Sequence, residues 1–146
     1  PPTEPQATAV YASPDTYPID AKQTATLVAA QLAKDGLRDT DWHFAFQSQG
    51  LSGGPWIGPT VEDTLAALSK AGHTAVIIHP IGFLCDHVEI LYDIDIGFRE
   101  FGARLGLRVE RPESLNESPT LTRALADLAQ SALTRLAARS VALPLP

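Results

Sequence analysis

The chain has 146 residues and a mass of 15.6 kDa, enough for one domain whose core buries about 68% of the unfolded surface. Apolar residues make up 45% and charged residues 19%, ordinary globular usage that argues against disorder and against a coiled coil. A net charge of −6 and a pI near 5.0 exclude a non-specific nucleic-acid binder, which needs a basic face to neutralise phosphates, and favour a cationic or neutral partner.

The chain opens on Pro1 with no basic, apolar and small-residue pattern of a signal peptide behind it, so it reads as a piece of a longer protein. Residues 1–18 hold five prolines and read as an irregular segment. From Ile19 to Leu37, Ala21, Ala25, Val28, Ala29 and Leu32 recur at three- and four-residue steps before Gly36, which predicts a helix and its C-cap. Trp42 to Ser48 (WHFAFQS) reads as a strand, and Gln49 to Pro59 (QGLSGGPWIGP) as a glycine-rich loop of functional length. That loop lacks the spacing of a phosphate cradle; its distinctive residue is Trp56, either an anchor for the loop or a flat wall for a planar ligand.

Thr60, followed by Asp63, predicts the N-cap of a second helix that ends at Gly72. Thr74 to Pro80 (TAVIIHP) is a short apolar strand of the kind buried on both faces of a parallel sheet. After the loop IGFLC, Val88, Leu91, Ile94, Phe98, Phe101 and Leu105 keep helical spacing up to Gly106. A third strand follows in LRVERP, then a helix from about Ser118 to Ala138 and a proline-rich tail. The predicted fold is α/β: a Rossmann-like parallel sheet flanked by helices, with ligands at the carboxyl ends of the strands. The longest apolar run, Ala75 to Ile78, is far short of the roughly 20 residues of a membrane span. The single cysteine, Cys85, excludes an internal disulfide and any site that needs several thiolates from this chain. It reads as a small buried residue in a protein of a reducing compartment.

The densest chemistry lies in Cys85 to Asp95 (CDHVEILYDID), with four carboxylates and a histidine in eleven residues. On one reading Asp86 caps the helix, with Glu89 at its third position in a capping box, and the acidic face is simply solvated. On the other, His87, Glu89 and Asp93 hold or conduct a divalent ion such as ferrous iron. Glu89 and Asp93 are like charges four residues apart, a small cost that a cation would remove. His43, His73 and His79 stand at a strand, a helix end and a strand end, and are read as structural.

Phe46 to Phe98 resembles the C-terminal half of the ferrochelatase family. The resemblance rests on QSQ (Gln47 to Gln49), PWIGP (Pro55 to Pro59), HPIGF (His79 to Phe83) and DHVEILYDID (Asp86 to Asp95), in order and near the family's spacing, with weaker similarity from about Asp15 to Leu136. It implies a chelatase-type half-domain over residues 19–139, with a tail at 140–146, and a porphyrin cleft shared with a missing N-terminal half. It also implies a cytoplasmic enzyme of haem biosynthesis that inserts ferrous iron into protoporphyrin IX or coproporphyrin III. Glu89 would take the catalytic role opposite a histidine upstream of Pro1. Glu89, Asp93 and His87 would meet the metal, and Trp56, Gln47, Ser48 and Asp86 would shape the cleft. In the family this helix is a widened, π-type helix with an acidic residue at a third position, where this chain has Gly97; Glu100 could replace it only in a regular helix. Many relatives carry an iron–sulfur cluster on C-terminal cysteines, which this chain lacks, so no cluster is expected on it. The competing expectations are a porphyrin or metal carrier without catalysis, and a plain α/β domain.

Overall fold

The computed structural model describes residues 16–47 and 57–141. The expected irregular head up to residue 15, most of the glycine-rich loop with Ser48 and Trp56, and the tail from residue 142 lie outside them. The chain divides into two compact units, Pro1–Thr64 and Leu65–Pro146.

In the first unit the predicted helix forms as α1, Tyr17–Leu32, followed by a 3-10 turn at Ala33–Asp35. It starts two residues early because Pro18 sits in the first turn, where its missing N–H costs nothing. It stops at Gly36, whose φ of 100° a Cβ would oppose. A second 3-10 turn, Asp39–Asp41, is braced by the Arg38 guanidinium on the Asp41 carboxylate at 2.8 to 3.2 Å, which holds Asp41 down to about 2. The strand expected at Trp42 to Ser48 is reduced to a single parallel bridge from Phe46 to Thr60, with the Phe46 N–H donating to the Pro59 carbonyl at 2.8 Å. Its β-forming residues are present, but a strand exists only as a ladder with a neighbour, and among the described residues no longer ladder is available to it. Phe46 is buried nonetheless, with the Phe44 ring edge-on to it at 4.9 Å.

Helix α2, Val61–Lys70, runs across the boundary between the units. Its cap is as expected: the Thr60 hydroxyl accepts the Asp63 N–H at 3.1 Å. In the second unit β1, Ala75–Ile77, pairs in parallel with β2, Arg108–Glu110, in the register Ala75 to Arg108, Val76 to Val109 and Ile77 to Glu110. The crossover between them is helical, as a parallel pair requires, so the α/β expectation holds. Both strands are shorter than predicted. Ile77 is 74% exposed rather than buried on two faces, and among the described residues β1 pairs only with β2. The last helix, α4, covers Pro119–Val141.

The crossover begins as a ten-residue π-helix, Glu89–Phe98, and continues as α3, Arg99–Arg104. The Arg99 N–H reaches the Ile94 carbonyl, five residues back, the bond that defines the wider turn. This corrects the 3.6-residue periodicity read from the sequence. The buried row steps by four, through Ile90 and Ile94 at 0% exposure to Phe98 at 8%, while Val88 is 73% and Leu91 48% exposed. At the other end, Gly102 lets α3 lie against β2: a Cβ there would collide with the Val109 side chain and stand 3.3 Å from the Leu107 carbonyl. Leu107 and Val109 are both buried beneath it.

Candidate active site

The carboxyl end of β1 leads into the loop 78–88 and then directly into the π-helix, so the chemistry-bearing run begins where a parallel α/β sheet places its ligands. Loop and helix meet at His87. The Phe83 ring packs edge-on against its imidazole at 4.3 Å, and the imidazole Nδ1 accepts the Glu89 N–H at 3.3 Å. The His87 carbonyl accepts the N–H groups of Ile90 and Leu91. With its Nδ1 lone pair engaged by the backbone, the neutral ring carries its proton on Nε2. Nε2 is buried, with no hydrogen-bond partner among the described residues; as an N–H it can donate to an acceptor but offers no lone pair to a cation.

Asp86 does not cap the helix. Its carboxylate accepts the Ser114 hydroxyl at 2.7 Å and the Asn116 side-chain N–H at 3.1 Å, and its own N–H donates to the Asn116 Oδ1 at 2.9 Å. The bonds to Ser114, then to Asn116, then the Arg111 charge at 3.2 Å hold it below the usual carboxylate range. The capping-box pattern is in the sequence, but partners 28 and 30 residues downstream outbid the helix terminus. Asp95 is held in the same way. Arg111 forks onto it, Nε to Oδ1 at 3.0 Å and Nη2 to Oδ2 at 2.8 Å, and this bond above all keeps Asp95 low. Arg99 adds a longer pair to Asp95 at 3.7 Å and to Glu110 at 3.6 Å.

Glu89 and Asp93 lie one row over from the buried Ile90, Ile94 and Phe98, with Glu89 exposed and Asp93 half-buried. Because the buried row of this helix keeps to every fourth residue, the adjacent row Glu89, Asp93, Gly97 does too. The helix is not regular here, so the condition under which Glu100 could extend the row is not met. Among the described residues no three His, Cys, Asp or Glu side chains converge as a ready-made metal cage; His87, Glu89 and Asp93 follow one another along the start of the helix. Gln47, half-buried next to the bridge residue Phe46, belongs to the first unit. Cys85, in a bend of the loop, is exposed rather than buried. His43, His73 and His79 are exposed.

Sequence reasoning missed Arg111, Ser114 and Asn116. The sequence reads Arg111 as part of a strand, LRVERP, whose ladder ends one residue earlier, at Glu110. The signal was present in the polar turn-forming run after it, where Asn116 adopts φ 44°, a left-handed conformation that asparagine tolerates better than most residues.

The sequence matches the Ferrochelatase family over residues 5–133. It is 64% identical to a ferrochelatase of Acidobacterium capsulatum over 125 residues, 86% of this chain and 37% of that protein. It is 43% identical to a ferrochelatase of Herpetosiphon aurantiacus, over 86% of this chain and 38% of the relative. It is 37% identical to a coproporphyrin III ferrochelatase of Halalkalibacterium halodurans, over 82% of this chain and 37% of that protein. The chain thus spans little more than a third of the length of the curated relatives it matches.

Proposed function

The chain belongs to the ferrochelatase family, and from that premise we propose that it forms part of an enzyme inserting ferrous iron into a porphyrin, protoporphyrin IX or coproporphyrin III. The observation that carries this reading is the π-helix that follows β1 and the loop 78–88, which sets Glu89 and Asp93 in one row. Iron here is a substrate. The reaction exchanges the two pyrrole N–H protons for the metal: both protons leave, the four ring nitrogens bind Fe(II), and no electron is transferred.

The residue types suit those demands. The Glu89 side chain accepts a pyrrole proton or faces the metal, and Asp93, one step along the row, replaces water on the incoming ion. His87 is assigned to the same site, its Nε2 the ring nitrogen without a hydrogen-bond partner among the described residues. Asp86, Gln47, Ser48 and Trp56 are assigned to the cleft, Trp56 as a flat wall for the macrocycle. The rest of the enzyme would supply the opposing wall and the histidine that works with Glu89. The enzyme is read as a cytoplasmic lyase of haem biosynthesis, without an iron–sulfur cluster on this chain; no helix among the described residues is long and apolar enough to cross a membrane.

Glu89→Gln in the complete protein tests the assignment. Insertion of zinc or iron, followed by porphyrin absorbance, is expected to fall at least about a hundredfold, the usual scale of a lost proton acceptor, with the melting temperature unchanged. Wild-type rates would overturn it. Running the assay with both porphyrins identifies the substrate.

A further inference from the structure

Two acidic residues in the same run, Asp86 and Asp95, are turned away from the acidic row and into a common partner. The Arg111 side chain is only 9% exposed. It forks onto Asp95, reaches Asp86 at 3.2 Å, and gives its remaining N–H bonds to the Pro112 carbonyl at 3.0 Å and the Ser114 hydroxyl at 3.3 Å. A cation this enclosed needs two carboxylates and a fixed fork geometry, which lysine cannot reproduce.

The placement is specific. Asp86 lies three residues before Glu89 and Asp95 two residues after Asp93, so the two anchors bracket the acidic pair. Arg111 follows β2 without an intervening residue, which ties the bracket to the sheet. A long π-helix is not what a helical sequence adopts unaided; it persists where its surroundings over-determine it. Burial of Ile90, Ile94 and Phe98 holds one side of the turn, and the Arg111 fork holds the side that carries Asp95.

We propose that Arg111 is a positioning residue: by gripping Asp86 and Asp95 it fixes the π-helical phase at which Glu89 and Asp93 meet an entering divalent cation. The grip is a claim about the helix, while its consequence for the cation rests on the ferrochelatase reading.

The test uses the complete protein with Arg111→Lys, Arg111→Gln and the paired Arg111→Gln/Asp95→Asn, which restores a neutral hydrogen-bonded contact. Crystal structures of the variants read the helix directly. Arg111→Lys or Arg111→Gln is expected to lose the Arg99 N–H to Ile94 carbonyl bond in favour of four-residue bonding, and the paired variant to regain it. A π-helix unchanged in both single variants overturns the proposal whatever the activity does. In steady-state insertion assays with zinc, the single variants are expected to raise KM for the metal, or lower kcat, by roughly five- to tenfold, with KM for porphyrin within about twofold and the paired variant near wild type. A lower melting temperature and a smaller active fraction with both KM values and kcat per active site unchanged would mean a merely structural ion pair, and overturns the proposal. If the wild-type protein inserts no metal, the functional reading fails, and the crystallographic arm still decides the role of Arg111.

Discussion

Gly97 stands third in the row that Glu89 and Asp93 begin, and among the described residues a Cβ there would meet the Tyr92 carbonyl oxygen at an ordinary 3.7 Å. There is therefore room for a Cβ at this position. Gly97→Ala is expected to stabilise the helix by about 0.5–1 kcal/mol, while Gly97→Glu loses part of that gain to the like charge of Asp93 four residues away and, on the proposed function, tightens zinc binding several-fold in calorimetric titration. Unchanged affinity would remove position 97 from the cation's path. Asp86 and Asp95 answer to a different variable. Both are held below the ordinary carboxylate range, Asp86 chiefly by the Ser114 hydroxyl and Asp95 chiefly by Arg111. A depressed carboxylate contributes stability that is complete above its unfolded value of about 3.9 and is lost as pH falls toward the folded value. Denaturant unfolding should therefore show stability falling as the pH drops below about 4, and Asp95→Asn should flatten part of that limb; an unaltered slope would contradict the assignment. The identities of these residues were legible in the sequence, but their roles were only partly so. The spacing from Asp86 to Glu89 suggested a cap because local spacing carries no record of Ser114 and Asn116.

The helices and their stops were largely readable, because capping and left-handed glycine are local chemistry: Thr60, Gly36 and Gly106 act where the sequence placed them. The π-helix was not readable from periodicity, since Val88, Leu91 and Ile94 offer a plausible 3.6-residue stripe, and only the family resemblance suggested a wider turn. The competing row, Ile90, Ile94 and Phe98, is set by packing. Ile94→Ala is accordingly expected to cost about 2–5 kcal/mol, measured by denaturant unfolding, and a cost below about 1 kcal/mol would mean the row is not the core. The strands failed in the other direction, because β-forming residues at Trp42 to Ser48 specify a strand only when a neighbour completes the ladder. Where α3 meets β2 the limiting quantity is distance. Gly102→Ala forces Val109 or the helix to move and is expected to cost about 1–3 kcal/mol; a neutral result would show the contact to be loose.

Over the whole molecule, large apolar side chains are left in solvent: Ile77 on β1, Tyr92 and Ile96 on the π-helix, and Leu125, Leu128 and Leu133 on α4 are all between 47% and 74% exposed. The chain is expected to bind a hydrophobic dye such as ANS several-fold more brightly than a compact globular protein of its size; equal fluorescence would mean that these side chains are covered in solution. The sequence signalled the α/β class through alternating helices and strands, yet it could not signal this surface, because hydrophobicity alone does not say what covers a side chain. The hold on the acidic row has a consequence for assembly as well. Its bonds join residues 16, 28 and 30 positions apart, and they wait on β2 finding β1. A nascent crossover segment therefore carries Asp86, Glu89, Asp93 and Asp95 before Arg111, Ser114 and Asn116 can hold it, and on the proposed function the acidic row is set only as the sheet closes.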